Sequence, residues 1–224
     1  MLLDAAEFSF STALQRHFET FADELRELVR DDFLEWPDRA AYGGSWLIAA
    51  LFMSSHIAGI EDTFMANQAK CPASTAVLRS IPGVTAAAFS WMDPGCHIYA
   101  HRDVKALDVM RAHLPLEVPA GAQFRVGEDV HEWHTGESLL FEGYLEHETG
   151  NAGSKRRIVL LVDAQLSGTD LEKLQDWRRR NRIEIAPKLV LVDAFGRETV
   201  EPGPVAAPSD PVVPAAAGAA GGMA

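Results

Sequence analysis

Cysteine is scarce in this chain of 224 residues, which contains only Cys71 and Cys96. The two form no CxxC pair, and two cysteines are too few for a disulfide framework. Disulfides accumulate in proteins of oxidising compartments. The scarcity of cysteine therefore favours a reduced, cytoplasmic location.

Long hydrophobic runs are missing as well. The longest apolar stretch, Ser45–Met53, is too short to span a bilayer as a helix. The N-terminal segment is acidic early and has no basic stretch, so it is not expected to be a signal peptide. We therefore expect a soluble protein without an integral membrane segment.

Positive charge is in deficit. Lysine and arginine number 20 against 32 aspartates and glutamates, which gives a formal net charge of -12 and an isoelectric point near 5.0. An acidic surface repels phosphate backbones, so nucleic acid is not an expected partner. The basic run Arg178–Arg182 is interpreted as a solvated helix face, and the sequence has no glycine-rich phosphate loop.

The remaining pattern predicts a helical segment at the N-terminus, residues 1–40. Apolar residues recur at helical spacing over residues 8–34, with Ser11 or Thr12 at the start of the helix. These helices either buttress the rest of the fold or form a dimer face, which leaves a homodimer possible.

The C-terminal part is predicted to contain a helix and a short strand over residues 169–201. Thr169 would cap the helix, with Glu172 completing a capping box, and PKLVLVD supplies the strand. Residues 202–224 consist mostly of proline, alanine and glycine and are predicted to be a disordered tail.

Residues 41–168 are predicted to be the core of an α+β, mainly β, protein. Ser45–Met53 is interpreted as a buried strand, residues 56–70 include a short helix, and a further helix begins near Pro72. From Val84 to Gln165, short apolar runs alternate with turn residues. Strands at this spacing favour a sandwich or jelly roll over a parallel sheet.

The candidate chemistry lies in two segments, PGCHIYAHRD and FEGYLEHETGN. His101 and Asp103 are two residues apart, a spacing that places both side chains on one face of a strand. His147 follows a later strand and would complete a triad from across the barrel. Two histidines and one carboxylate leave three positions open on a metal, an arrangement suited to non-haem Fe(II) that activates O2.

An arginine, Arg157, lies ten residues after His147. Its planar guanidinium can hold a carboxylate with two parallel hydrogen bonds. Arg156 is adjacent, which leaves a one-residue slip open, and only one of two neighbouring residues on a strand faces inward. The ten-residue offset from His147 favours Arg157. Together with the triad, Arg157 predicts an oxygenase that consumes 2-oxoglutarate.

Over roughly residues 40 to 165, the chain resembles the aspartyl/asparaginyl β-hydroxylase family of 2-oxoglutarate-dependent oxygenases. The resemblance rests on the following residues: Cys71, Pro72, Thr75, Ser90, Pro94, Gly95, His97, His101, Arg111, His113, Trp133, Gly136, Phe141, Glu146, His147 and Arg157. It implies a double-stranded β-helix, a jelly roll with the metal inside.

The resemblance also implies a role for each residue. His101 and His147 would bind iron, and Arg157 with Ser90 would hold the distal carboxylate of 2-oxoglutarate. Two further residues, Arg111 and His113, would lie near its other end or near the metal. Animal members have glycine at the position of Asp103. The full triad here favours hydroxylation over halogenation, because a halide needs the position that Asp103 would take.

The substrate is less defined, because the chain departs from the family after Arg157. The segment Val162–Gln165 stands where many members have a Trp-His-Pro motif. Members act on aspartyl or asparaginyl residues, free amino acids or lipid acyl chains. The lack of an apparent membrane anchor favours a small-molecule or peptidyl substrate derived from an amino acid.

Three alternatives remain open. The first is a lipid acyl-chain hydroxylase of the same family. The second is a non-enzymatic, cupin-like metal-binding protein, against which the open triad argues, since structural zinc sites usually have four protein ligands. The third is a cupin-fold isomerase or dioxygenase that works without 2-oxoglutarate.

Overall fold

The computed structural model describes residues 1–53, 61–103, 107–183, 189–192 and 198–201. Within them the α-helices are α1 (Ser9–Arg16), α2 (Phe18–Leu25), α3 (Glu61–Lys70), α4 (Pro72–Ser80) and α5 (Gly168–Arg180), and three short 3-10 helices lie at Ala5–Glu7, Arg30–Asp32 and Arg39–Ala41. The strands are β1 (Leu34–Glu35), β2 (Tyr42–Gly43), β3 (Trp46–Met53), β4 (Val84–Met92), β5 (His97–His101), β6 (Val109–Glu117), β7 (Ala122–Val126), β8 (Asp129–His131), β9 (Leu139–Phe141), β10 (His147–Asn151), β11 (Arg157–Gln165), β12 (Leu189–Val192) and β13 (Glu198–Glu201).

The chain divides into two compact units, Met1–Glu184 and Ile185–Ala224. Among the described residues, the second unit contains an antiparallel pair, β12 with β13. The strand predicted in PKLVLVD is therefore present, whereas the predicted tail, residues 202–224, lies outside the described residues. The predicted boundaries of the four segments stay a prediction.

The first unit contains two antiparallel sheets. One has the strand order β1-β3-β4-β11-β6-β9 and the other the order β2-β5-β10-β7-β8. From β4 onward the chain passes repeatedly from one sheet to the other, so strands that are consecutive in sequence mostly lie in different sheets. This connectivity is that of a double-stranded β-helix, which confirms the predicted jelly roll.

The larger sheet has two differently covered faces, because side chains alternate along each strand. Its outer face packs with the N-terminal helices in one hydrophobic cluster, which includes Phe10, Leu14, Phe21, Phe89, Trp91, Ile158 and Leu160. The helices therefore buttress the barrel; a homodimer stays a prediction.

The inner face of that sheet lies against the smaller sheet. Two further clusters join the sheets: one contains Ile48, Met92 and Ile98, and the other contains Phe124, Val126, Trp133, Phe141 and Val159. Ser90 pairs with Val159, and Met92 pairs with Arg157, so all four side chains lie on this inner face. The alternation of side chains thus places Ser90 and Arg157, two predicted site residues, inside the barrel.

The N-terminal helix differs from the prediction for residues 8–34. The structure has two α-helices here, the first of which begins at Ser9 rather than at Ser11 or Thr12, and the second of which ends at Leu25. They are separated by His17, whose φ of -101° and ψ of 19° are not helical. The apolar spacing continues through this break because both helices bury their apolar sides against the same sheet.

The cap of α5 also differs from the prediction. The helix begins at Gly168, and its N-cap is Ser167 rather than Thr169. The predicted capping box is therefore wrong. Asp170 in the first turn instead accepts hydrogen bonds from the backbone nitrogen and the hydroxyl of Ser9, which ties α5 to α1.

The other predicted elements are confirmed in the described residues. The buried strand after Ser45 is β3, and the helix near Pro72 is α4. The helix expected within residues 56–70 is α3, while residues 54–60 lie outside the described residues. No helix in the described part of the chain is both long and apolar enough to cross a membrane.

Candidate metal centre

His101, Asp103 and His147 form a compact cluster in which one ligand atom of each residue lies within 4.8 Å of the others. His101 ends β5 and His147 begins β10, and the two residues are direct partners across these paired strands. Asp103 lies two residues beyond the end of β5. Its Oδ1 is 4.0 Å from His101 Nε2, and its Oδ2 is 3.9 Å from His147 Nε2.

The structure changes two details of the expected cluster. His147 approaches from the neighbouring strand of the same sheet, not from across the barrel. Asp103 does not continue the strand, so strand alternation is not what turns its carboxylate toward the histidines. Instead, its backbone nitrogen donates to the carbonyl oxygen of Gly143 at 2.8 Å, which fixes the turn after β5.

Both histidines are oriented by backbone carbonyls. His101 Nδ1 is 2.7 Å from the oxygen of Tyr99, and His147 Nδ1 is 2.9 Å from the oxygen of Leu145. Since a carbonyl oxygen only accepts, each Nδ1 carries the proton and donates. Each Nε2 then has its lone pair available, which is the tautomer that a metal ligand needs. Burial lowers the pKa of His147 to about 4, which keeps the ring neutral at pH 7.

Arg111 holds the carboxylate of Asp103. Its Nη1 lies 2.9 Å from Asp103 Oδ2, while its Nε and Nη2 donate to the two carboxylate oxygens of Asp163 at 2.8 and 3.0 Å. Burial would lower the pKa of Arg111, but the two carboxylates outweigh it and raise the pKa. The guanidinium is therefore a permanent cation that fixes the orientation of a candidate metal ligand.

Gly143 is packed so tightly against Asp103 that it has no room for a side chain. A Cβ at this position would lie 2.9 Å from Asp103 Cβ and 3.3 Å from its Oδ2. We expect Gly143→Ala to push the carboxylate aside and weaken metal binding about 10- to 100-fold, as losses next to metal ligands typically do.

Metal titration of the purified variant checks this expectation. Gly150→Ala is the matched control, because a Cβ at Gly150 on β10 has its nearest neighbour at an ordinary 3.9 Å. Equal metal affinity in Gly143→Ala and wild type would show that the glycine is not needed to place Asp103.

Arg157 is buried inside the barrel at 1% exposure. Its Nη1 contacts Met92 Sδ at 3.1 Å, and its guanidinium carbon lies 4.3 Å from the centre of the Trp133 ring. Its Nε and Nη2 have no hydrogen-bond partner among the described residues. Burial lowers its pKa to about 9, which leaves it charged at pH 7. A buried cation with two unsatisfied donors is suited to a carboxylate, which accepts both in parallel.

Ser90 and His113 line the same interior. Ser90 lies on the inner face two residues before Met92, and its hydroxyl accepts a hydrogen bond from Trp46 Nε1 at 3.0 Å. His113 is buried between Trp133 and Phe141, with ring centroids 5.8 and 5.2 Å away. Phe141 in turn lies 4.8 Å from His147. Consecutive ring contacts therefore connect Arg157 with the metal cluster.

The cluster also depends on residues that the sequence analysis did not single out. Asp163, Gly143 and the backbone oxygens of Tyr99 and Leu145 orient the three candidate ligands. Asp163 lies in the segment that departs from the family pattern. Because its partner is Arg111 on the paired strand β6, spacing along the chain gave no sign of the contact.

The fold and this site define a class: a double-stranded β-helix protein with a candidate mononuclear metal centre of two histidines and one aspartate. Comparison with known families identifies the protein more closely than this class. The chain belongs to the aspartyl/asparaginyl β-hydroxylase family, whose model matches residues 15–166. The protein is therefore a member of a family of hydroxylases.

Curated relatives cover parts of the chain. It is 42% identical over 96 residues to the ornithine lipid ester-linked acyl 2-hydroxylase of Rhizobium tropici, a match over 42% of this chain and 34% of that protein. It is 32% identical over 76 residues to the aspartyl/asparaginyl beta-hydroxylase of Mus musculus, which covers 34% of this chain and 10% of the relative. The chain thus spans about a third or less of the length of these relatives.

Among solved structures, the chain is similar to a prolyl-4-hydroxylase of Pseudomonas putida, with 18% identity and a TM-score of 0.44 over 69% of this chain and 88% of that one. It is also similar to a predicted oxalate decarboxylase of Thermotoga maritima, with 13% identity and a TM-score of 0.38 over 62% of this chain and 99% of that one.

Proposed function

We propose that the protein is an Fe(II)- and 2-oxoglutarate-dependent hydroxylase. In this reaction, O2 supplies one oxygen to a substrate C–H bond, which becomes C–OH, and the other to 2-oxoglutarate, which yields succinate and CO2. The observation that carries the proposal is Arg157, a buried cation with two unsatisfied donors inside the barrel that holds the His101, Asp103 and His147 cluster. Membership of a hydroxylase family supports it.

The metal would be held by His101 Nε2, His147 Nε2 and the carboxylate of Asp103. These ligands fit Fe(II), because a facial set of two histidines and one carboxylate leaves three positions for cosubstrate and O2. The bound metal would supply O2 activation coupled to decarboxylation of the 2-oxo acid. The described residues add no fourth histidine, cysteine or acid to the cluster, which argues against a closed structural site.

The protein would bind 2-oxoglutarate through its distal carboxylate. Arg157 would donate Nε and Nη2 to the two oxygens, with the hydroxyl of Ser90 on the same inner face. The rings of Trp133 and His113 would form the wall between that carboxylate and the metal. Arg111 would act near the metal end by fixing Asp103. The barrel would position the cosubstrate and exclude water; the metal would carry the oxidation.

For the substrate we propose a methylene next to a carboxyl-derived carbon. Two named activities of the relatives share this chemistry: the β-carbon of aspartate or asparagine lies beside the side-chain carbonyl, and carbon 2 of an ester-linked acyl chain lies beside the ester carbonyl. An amino-acid-derived substrate is our first candidate. A lipid acyl chain is the second, favoured by the 42% identity to the ornithine lipid hydroxylase.

Incubation of the purified protein with Fe(II), ascorbate and 2-oxoglutarate tests the proposal. The panel would contain free amino acids, short peptides with aspartate or asparagine, and ester-linked acyl lipids, with oxygenated products and succinate followed by mass spectrometry. The proposal expects one added oxygen on one substrate class, matched by an equal amount of succinate. Tight zinc retention without succinate from any substrate would favour the non-enzymatic alternative.

A metal-dependent reaction that continues without 2-oxoglutarate would instead indicate the cupin-type isomerase or dioxygenase. In that case Arg157→Ala would leave the activity largely unchanged, because no dicarboxylate would need to be held.

A further inference from the structure

The side chain of Arg178 on helix α5 contacts two residues close in sequence to the candidate metal ligands, Glu142 and Leu107. Its Nε donates to Glu142 Oε2 at 2.6 Å, and its Nη1 donates to the carbonyl oxygen of Leu107 at 2.7 Å. Glu142 is 2% exposed, and the side chain of Arg178 is 12% exposed. This is a largely buried ion pair, and it lies outside the set of residues that the reaction requires for binding metal or cosubstrate.

Glu142 begins a turn whose backbone contacts both Asp103 and, through Leu145, His147. The next residue, Gly143, accepts the backbone hydrogen bond of Asp103 at 2.8 Å. The carbonyl of Glu142 accepts from the backbone nitrogen of Leu145 at 2.9 Å, and the carbonyl of Leu145 orients His147 Nδ1. A shift of Glu142 would therefore be transmitted to a carboxylate ligand on one side and to a histidine ligand on the other.

Leu107 is the second point that Arg178 holds. It lies four residues after Asp103 in the sequence. One guanidinium thus joins the carbonyl of Leu107 to the carboxylate of Glu142, in the turn that precedes His147. The rigid fork of arginine can hold both acceptors at once, which a lysine point charge cannot do as well.

We propose that the Glu142–Arg178 pair is a positioning device through which α5 fixes the metal-binding geometry. The inference rests on the proposed metal site. It gives part of the basic run Arg178–Arg182 a role in the interior of the protein, whereas its neighbour Arg179 is 69% exposed and pairs with Asp176 within the same helix. Both members are positioning residues that act through Gly143 and Leu145.

The test has to separate positioning from folding, because removing one partner leaves a buried charge uncompensated, whereas replacing both with apolar residues is often tolerated. The informative variant is therefore the double substitution Glu142→Met with Arg178→Met. Co(II) serves as the probe, since its visible absorption reports its ligands without turnover. Arg179→Met is the matched control.

We expect the double variant to keep a cooperative thermal transition while binding Co(II) about 10- to 100-fold more weakly, the usual effect of losing support around metal ligands. Its Co(II) absorption spectrum should also differ from that of wild type. Wild-type affinity and spectrum in a folded double variant would overturn the proposal.

Arg178→Lys keeps the inference testable if the double variant does not fold, since it retains the charge beside Glu142 but not the fork. It should bind Co(II) several-fold more weakly than Arg179→Met, and equal affinity would count against the positioning role. Failure of the wild-type protein to bind Co(II) would instead refute the metal site, and with it both the proposed function and this inference.

Discussion

Arg157→Met is expected to raise the apparent KM for 2-oxoglutarate about 30-fold or more, since losing one partner of a buried charge pair costs about 2–5 kcal/mol and each 1.4 kcal/mol is about tenfold. The same substitution should stabilise the free protein. Arg157 is 1% exposed and has two donors without a partner among the described residues. An unsatisfied buried polar group costs about 1–3 kcal/mol, and methionine removes that cost while filling much of the volume.

The prediction is specific because the same substitution should weaken 2-oxoglutarate binding and yet raise the stability of the free protein. A residue that only stabilised the barrel would lower both stability and activity when replaced. Steady-state kinetics over a range of 2-oxoglutarate concentrations, together with chemical denaturation of the metal-free protein, would measure both effects. Unchanged KM in the Arg157→Met variant would exclude this arginine as the cosubstrate anchor.

Arg156→Met is the matched control for Arg157. Arg156 precedes it directly, but its side chain is 38% exposed, pairs with Glu117 and lies over Trp91 on the outer side of the sheet. We expect an unchanged KM for 2-oxoglutarate in this variant. A large rise in KM in Arg156→Met, with none in Arg157→Met, would mean that Arg156 rather than Arg157 binds the cosubstrate, which is a shift of the strand register by one residue.

Asp103→Ala is expected to abolish hydroxylation, with turnover reduced more than about 100-fold, beyond the 10- to 100-fold typical of residues that only support a ligand. The carboxylate lies 4.0 and 3.9 Å from the two histidine Nε2 atoms, and it is the only acidic member of the cluster found in the described residues. Without it, Nη1 of Arg111 would also lose its carboxylate partner beside the metal, while Nε and Nη2 would stay paired with Asp163.

Metal titration and turnover assays on the same preparations would check this expectation. Asp31→Ala, at an exposed position near the N-terminal helices, controls for the loss of one negative charge from a chain with net charge -12. Normal hydroxylation by Asp103→Ala would sink the assignment of a three-residue metal site.

The barrel could be predicted because the sequence pattern that specifies its strands is local. Alternating apolar runs between Val84 and Gln165 specify strands with one face inward, and the structure has β4 to β11 in that interval. The same alternation allowed only one of Arg156 and Arg157 to face inward, and the ten-residue offset from His147 favoured Arg157, which is the buried one in the structure. The three candidate ligands were proposed from the His-x-Asp spacing of His101 and Asp103 and from the family resemblance that adds His147, and the structure brings these three side chains together.

The supporting contacts could not be predicted in this way, because they join residues far apart in sequence. Arg111 and Asp163 are separated by 52 positions, and Glu142 and Arg178 by 36. The residues around each member of these pairs give no indication of which distant residue it contacts. The break at His17 and the cap at Ser167 were missed for a different reason: apolar periodicity shows which side of a helix is buried, whereas these ends are set by backbone conformation and by contacts with neighbouring elements.

The most direct test of the proposed function is a calorimetric titration of 2-oxoglutarate into the protein under anaerobic conditions, with and without Fe(II). It needs no knowledge of the substrate. The proposal predicts that one 2-oxoglutarate binds per chain, that tight binding requires the metal, and that it is lost in Arg157→Met but kept in Arg156→Met. No binding, or binding that is indifferent to both Fe(II) and Arg157, would contradict it.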